Sequence, residues 1–328
     1  MNRVKIKINR MPSTTNIHFG TCSWKYDSWK GLVYPHYDKQ NYLEEYAKTY
    51  GTVEVDQWFW SLFAPGSPVV LPKQKDTTEY DAATPDDFRF TIKAPNAITL
   101  THYYPKFAGT AQPSSHTSKG LHSAAGGSQF TPPQADHTSN NPHFLSVELW
   151  NKFVDSLGPL KHKTAAAMLQ FEYLNKQKMP DPCVFMKQLE DFLKAIPREV
   201  PVAVETRNPN YLNNEFFTLL HDQGVIPVFL QGYFMPPVFE TVEKFRHLIP
   251  GKAIIRLHGP DRSGIEQKTG GIWNKIVDPK DEEIHKLGEL IKTLAEMDTE
   301  VFVNVNNHYE GSAPLTIEKI KSLLKDGQ

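Results

Sequence analysis

Short apolar runs alternate along the chain with longer segments of helical periodicity, a pattern typical of βα units. The apolar runs predict strands at Ile17–Cys22, Thr52–Asp56, Phe88–Lys93, Thr164–Phe171, Val200–Glu205, Val225–Leu230, Ala253–His258 and Val301–Asn306. Apolar residues spaced three and four apart predict helices at Tyr42–Tyr50, Ser146–Leu157, Val184–Ile196, Asn214–Gln223, Asp281–Met297 and Leu315–Leu324. Eight strands alternating with helices predict an α/β fold, a parallel (β/α)₈ barrel.

Some segments depart from this alternation. Residues 1–16 are basic and polar and predict an N-terminal tail. Residues 108–141 are rich in Ser, Gly, Thr, His and Pro, which predicts a flexible low-complexity insertion after the third strand. Prolines interrupt the segments after strands two and six and weaken the helix prediction there. Since barrels run to about 250 residues and tolerate insertions, residues 1–328 are expected to form a single domain.

Composition narrows the class of protein. The formal net charge is −1, which disfavours a dedicated nucleic-acid binder. The two cysteines, Cys22 and Cys183, are too few for a disulfide framework and fit a reducing cytoplasm. The first residues lack the apolar core of a secretion signal. No apolar run approaches the roughly 18 residues of a membrane span, so no membrane partner is expected.

Polar residues recur at the late ends of six predicted strands. Because side chains alternate across a strand, Glu54 and Asp56 share one face while Val53 and Val55 share the other. The late ends of barrel strands meet at one rim, where barrel enzymes hold their sites. We therefore predict a polar site there, with purely structural ion pairing as the alternative. Its members are Glu54, Asp56, Lys93, Gln170, Glu205, Arg207, Arg256, His258, Asn304, Asn306 and Asn307.

The acidic residues and the histidine are the candidate catalytic groups. Glu54, Asp56 and Glu205 could serve as general acid or base, since clustering of carboxylates raises the pKa of one of them. His258 could polarise or protonate a substrate. The same groups could instead bind a divalent metal, a less favoured alternative because no tight metal motif is present. The cofactor is otherwise left open.

Cations and amides are the candidate substrate-binding groups. Lys93, Arg207 and Arg256 could clamp a phosphate or carboxylate, beside the amides of Gln170, Asn304, Asn306 and Asn307. The loop after the eighth strand, NNHYEGSAP, leads into a helix with Ser312 as a candidate cap, which favours an anionic ligand.

Two tryptophans after the first strand complete the candidate site. Trp24 and Trp29 could stack on a sugar or nucleobase, with core packing as the alternative. Cys22, at the end of the first strand, is a candidate nucleophile, although a small buried residue is the favoured interpretation.

Several motifs resemble those of the YecE-like family, domain of unknown function 72. They are FGTCSWKYDSWKGLVYP (19–35), GTVEVDQWFW (51–60), PDDFRFTIKAP (85–95), ITLTH (98–102), AVETRNPNYL (203–212), IIRLHGP (254–260) and VNVNNHYEGSAP (303–314). The resemblance implies a TIM-type barrel. Two departures affect the site: Asp56 stands where the family commonly has Asn, and Gln170 is followed by Phe171 rather than by Leu-Pro-Pro. The family name assigns no activity.

Three functions are compatible with these residues. The first is an enzyme, either a hydrolase, a lyase or an isomerase, that acts on a small anionic substrate by acid–base or metal-assisted chemistry. The second is a nucleic-acid-binding barrel, with cations on phosphates and tryptophans on bases, which the net charge disfavours. The third is a non-catalytic ligand-binding barrel. The oligomeric state is left open.

Overall fold

A computed structural model describes residues 16–36, 41–62, 65–103 and 140–326. Eight parallel strands form a closed barrel in which each strand pairs with the next and the last returns to the first. They are β1 (Ile17–Thr21), β2 (Thr52–Val55), β3 (Arg89–Lys93), β4 (Thr164–Gln170), β5 (Val202–Glu205), β6 (Ile226–Gly232), β7 (Lys252–Gly259) and β8 (Glu300–Val305). The predicted (β/α)₈ barrel is confirmed.

The helices lie between the strands. They are α1 (Tyr42–Ala47), α2 (Gln74–Ala82), α3 (Asn96–Thr99), α4 (Val147–Ser156), α5 (Pro182–Ala195), α6 (Asn214–Asp222), α7 (Val238–Phe245), α8 (Arg262–Thr269), α9 (Asp281–Glu296) and α10 (Ala313–Asp326). Side chains of Asn41, Ser146, Asp181 and Asn213 accept backbone hydrogen bonds at the starts of α1, α4, α5 and α6. These short polar side chains fix where the helices begin.

The barrel interior changes from apolar to polar along the strands. A separate cluster of buried apolar side chains fills its lower part and includes Met168, Ala203, Ile254 and Phe302. Two positions later on the same strands, and therefore on the same face, stand Gln170, Glu205, Arg256 and Asn304. The alternation predicted from the sequence thus places a polar layer directly above an apolar one.

Strand register sets polar residues side by side in that layer. Glu54 is aligned with Thr91, Gln170 with Glu205, and Arg256 with Asn304. Across the first strand the pairing is uneven. β1 is aligned with β8 from Ile17↔Val301 to Thr21↔Val305, but with β2 only at Gly20↔Thr52 and Thr21↔Val53.

The close approach of β1 to β2 depends on Gly20. A Cβ atom there would lie 2.2 Å from the backbone oxygen of Thr52, so any larger residue would force the strands apart. The predicted tail at residues 1–16 lies outside the described residues except for its last position, as does most of the predicted insertion. The insertion's last residue, Asn141, is buried and donates to the backbone oxygens of Ala97 and Leu100. No helix in the described part of the chain has the length and apolar character needed to cross a membrane.

Candidate functional site

Arg256 lies at the centre of the polar layer and joins its two carboxylates. Its Nε and Nη2 donate to the two carboxylate oxygens of Glu54 at 2.7 and 2.8 Å. Its Nη1 donates to Glu205 and, at 3.2 Å, to Oε1 of Gln170. Arg256, Glu54 and Glu205 have no exposed surface. Residues from β2, β4, β5 and β7 therefore converge on one buried guanidinium.

Two further cations lie on the outer side of these carboxylates. Lys93 Nζ is 3.2 Å from Oε1 of Glu54, and Arg207 Nε is 3.2 Å from Oε1 of Glu205. The side chain of Arg207 is 27% exposed, so it reaches the mouth of the barrel. Three cations are thus paired with two carboxylates, and Arg207, the most exposed of the three, is placed to contact an anion at the mouth.

The ion pairs determine the protonation of Glu54. Burial alone raises its pKa, but Arg256 and Lys93 outweigh burial and hold that pKa below its ordinary value. Burial likewise lowers the pKa of Arg256, while Glu205 and Glu54 raise it well above the usual range. The sequence argument expected clustering to raise the pKa of a carboxyl. For Glu54 the structure gives the opposite direction, because Arg256 and Lys93 both contact its carboxylate.

Asp56 has the electrostatics that the sequence argument expected. It follows β2 and is half-buried. Burial raises the pKa of Asp56, Lys93 opposes that rise, and Glu54 adds to it. Burial and the charge of Asp56 also raise the pKa of the nearby Tyr26 hydroxyl, which therefore keeps its proton at neutral pH. Asp56 is the carboxyl of this cluster best suited to exchange a proton.

His258 is a neutral imidazole held between two side chains. Its Nε2 lies 3.6 Å from Sγ of Cys22, and its Nδ1 lies 3.4 Å from the hydroxyl of Tyr233. Burial, followed by the charges of Arg256 and Lys93, lowers the pKa of His258 well below its usual value. Burial raises the pKa of Cys22, so this residue is a thiol. Sequence reasoning missed Tyr233, which lies in the loop after β6 and carries no motif.

One group of side chains has the composition of a metal site. Donor atoms of Cys22, Glu54 and His258 all lie within 4.8 Å of one another. However, Glu54 already accepts hydrogen bonds from Arg256 on both oxygens and contacts Lys93. A divalent ion would have to displace these cations or lie against them, and the site therefore suits a metal poorly.

The side-chain amides of β8 and the loop after it form hydrogen bonds mainly with other groups of the protein. Asn304 donates to Oγ1 of Thr91 at 2.9 Å. Asn306 is half-buried and accepts from the backbone N–H of His308 at 3.0 Å. Asn307 accepts from the backbone N–H of Ala313 at 2.9 Å.

The contacts at the start of α10 differ from the expected Ser312 cap. Asn307, rather than Ser312, accepts a hydrogen bond from the start of that helix, and the Ser312 hydroxyl has no partner among the described residues. The buried carboxylate of Glu310 accepts from the hydroxyl of Thr316 in the first turn. The other oxygen of Glu310 contacts Nζ of Lys319 at 2.7 Å, so the start of α10 already holds an ion pair of its own.

The two tryptophans predicted to line the mouth differ in position. Trp29 is fully buried, with its ring 4.6 Å from that of Tyr26, and presents no face to a ligand. Trp29 therefore packs in the core, which was the alternative interpretation of this residue. Trp24 is half-buried and meets Tyr80 edge-on at 5.2 Å. The exposed aromatic residues beyond the strand ends are instead Trp60, Tyr173 and Phe234.

Comparison with known proteins identifies the family to which the chain belongs. Residues 18–328 match the family described as "Protein of unknown function DUF72". No curated protein matches the chain. A solved DUF72 family protein from Thermotoga maritima is similar at 19% identity and a TM-score of 0.59, covering 94% of this chain and 99% of that one. One from Enterococcus faecalis is similar at 18% identity and a TM-score of 0.59, covering 94% and 95%. At this identity the two structures support the fold alone.

Proposed function

The chain belongs to the DUF72 family, and we propose that it is an enzyme acting by acid–base chemistry on a small phosphorylated or carboxylated substrate. The substrate would bind at the carboxyl ends of the barrel strands. One observation carries the proposal: three cations are paired with two carboxylates there, beside an aspartate with a raised pKa and a neutral histidine.

Lys93 and Arg207 are the proposed anion-binding groups. Each contacts one carboxylate and lies further out than Arg256, which is fully buried. Arg207 contacts Glu205 through Nε, and a guanidinium has further N–H donors in a fixed fork that suits a phosphate or carboxylate. Glu54 and Glu205 would then act as positioning residues, since they hold the cations in place.

Asp56 and His258 are the proposed proton-transfer groups. A carboxyl whose pKa is raised by burial is better matched to proton transfer near neutral pH. A neutral imidazole held by Tyr233 can donate a hydrogen bond to a developing negative charge without itself repelling the nearby cations. This division of roles is compatible with a hydrolase, a lyase or an isomerase.

We also propose that the protein is cytoplasmic. Both cysteines are free thiols, one buried and one exposed. An exposed free thiol persists more readily in a reducing compartment.

The proposal is tested by measuring the binding of phosphate and of small phosphorylated or carboxylated compounds. Calorimetry and the shift in melting temperature are the two measurements. We expect Arg207→Met to weaken anion binding about tenfold or more, since it removes a charge-assisted contact. The matched control is Lys252→Met, which removes a cation paired with Glu300 at the opposite end of the barrel. Equal effects of the two variants, or no binding by the wild type, would contradict the proposal.

Asp56→Asn separates binding from chemistry. It should preserve binding of the substrate found in the screen and lower its turnover by a factor of about 100 or more. Full turnover in this variant would remove Asp56 from the mechanism. A non-catalytic ligand-binding barrel would show binding with no turnover in the wild type.

A further inference from the structure

Exposed apolar side chains are concentrated on the face that carries the polar site. Of the eight large hydrophobic residues exposed in the described part of the chain, six lie in the loops after the strands or in a helix's first turn, and a seventh, Ile272, lies between α8 and α9 in the segment that follows β7. The eighth, Met297, lies at the opposite end of the barrel. The seven are Leu32, Trp60, Val70, Tyr173, Val184, Phe234 and Ile272. Apolar groups gathered around a site indicate a binding surface.

Two of these residues follow strands on opposite sides of the barrel. Trp60 follows β2 and is 53% exposed, while Phe234 follows β6 and is 99% exposed. In a closed barrel of eight strands in sequence order, β2 and β6 are four strands apart. They therefore stand on opposite sides of the barrel axis.

Each of the two directly follows, in the chain, an aromatic residue whose ring contacts one of the proposed anion-binding cations. The ring of Phe59 lies 5.3 Å from Nζ of Lys93 and meets the ring of Trp60 edge-on at 5.0 Å. The ring of Tyr233, next to Phe234 in the chain, lies 4.6 Å from the guanidinium carbon of Arg207. Each of the two loops thus places an aromatic ring against a cation of the polar cluster.

The backbone of the β6 loop holds Phe234 outward at a cost. Tyr233 and Phe234 both have positive φ, at 55° and 61°, in the left-handed region that residues with a Cβ avoid. The preceding Gly232 is pressed against β7, where a Cβ would lie 2.4 Å from the backbone oxygen of Gly259. Strained backbone of this kind clusters at ligand clamps, and a fully exposed phenylalanine gains no core packing in return.

We propose that the ligand carries an aromatic ring beside its anionic group, and that Trp60 and Phe234 pack against this ring. Lys93 and Arg207 bind the anion. This inference rests on the proposed function and narrows its substrate class to an aromatic phosphate or carboxylate. Stacking on exposed aromatic side chains next to cations is how proteins hold flat rings joined to phosphates.

Two probes that differ only in the ring test the inference. Phenyl phosphate should bind the wild-type protein at least about tenfold more tightly than methyl phosphate, measured by calorimetry. Trp60→Ala and Phe234→Ala should each remove most of this preference and leave the affinity for methyl phosphate unchanged. Met297→Ala removes an exposed apolar side chain from the opposite end and should change neither affinity.

The outcomes separate this inference from the proposed function. Equal affinity for the two probes, or a preference that survives both alanine variants, overturns the aromatic ligand while leaving anion binding intact. If neither probe binds, the inference is wrong, while the proposed function is decided separately by the binding screen described above. If sedimentation shows a wild-type dimer that Trp60→Ala or Phe234→Ala dissociates, the apolar rim is an interface between two copies and the inference is wrong.

Discussion

Replacing Arg256 with Met removes the charge on which the polar cluster is centred. Met has a similar reach without the charge, so the main effect is to leave Glu54 and Glu205 buried without their common partner. Removing one member of a buried ion pair costs about 3–5 kcal/mol. Each carboxylate keeps a second cation, Lys93 or Arg207. We therefore expect the free energy of unfolding at neutral pH to fall by about 3 kcal/mol, the lower end of that range.

This loss should depend on pH in a defined direction. In the wild type the pKa of Glu54 lies below its ordinary 4.5, so its ion pair stabilises the fold above that pH and ceases to do so as pH falls through the folded-state pKa. In Arg256→Met, burial dominates and the pKa rises. Protonation then relieves the buried charge as pH falls. The difference in stability between wild type and variant should be largest near pH 7.5 and smaller at pH 4.5.

Urea unfolding followed by far-ultraviolet circular dichroism measures both quantities. The control is Arg262→Met, since Arg262 pairs with Glu266 on the surface and should lose no more than about 0.5 kcal/mol. Adding Glu205→Gln to Arg256→Met should restore part of the stability, because Glu205 is then uncharged and its other partner, Arg207, is partly exposed to water. A loss below about 1 kcal/mol, or one independent of pH, would refute the reasoning.

Three further predictions concern single groups. Asp56→Asn should raise the free energy of unfolding at pH 7, because burial raises the folded-state pKa of Asp56 and penalises its charged form. The gain in stability should vanish below the ordinary pKa of 3.8. A variant less stable than the wild type at pH 7 would contradict this prediction. A thiol reagent should modify Cys183 in the native protein and reach Cys22 only in denaturant, counted by absorbance. Treatment with a chelator should leave the melting temperature unchanged, since cations already engage Glu54.

The sequence predicts the barrel because each strand carries its own signal. Apolar runs set the strands, and alternation within a run such as VEVD already separates Glu54 and Asp56 from Val53 and Val55. Membership of the polar layer follows from the same local rule. It requires no knowledge of which strands are neighbours.

Partners within the layer could not be predicted this way. The contact of Cys22 with His258 joins β1 to β7, strands that do not pair with each other, and depends on the lengths and tilts of both side chains. The direction of the pKa change at Glu54 depends on whether a cation or a carboxylate is closest. That is a matter of a few ångströms between strands far apart in sequence.

Prolines account for part of what the helix prediction lacked. Pro236 and Pro237 interrupt the apolar periodicity before α7 and so argue against a helix there, yet Pro237 directly precedes the helix at Val238. Proline is well tolerated at a helix start because the first N–H groups have no partner within the helix. α8 is short and polar on most sides, and so lacks the apolar repeat on which prediction relies.

The uneven pairing of β1 has a consequence for biosynthesis. β1 is synthesised first, but it aligns mainly with β8, whose last residue is Val305. The barrel therefore cannot close while the chain is still being translated up to that point. Until Arg256 emerges, Glu54 and Glu205 have no common cation and are best solvated. A nascent chain should thus keep its barrel open at the β1 edge, which leaves an unpaired strand edge that other chains could pair with until β8 is made.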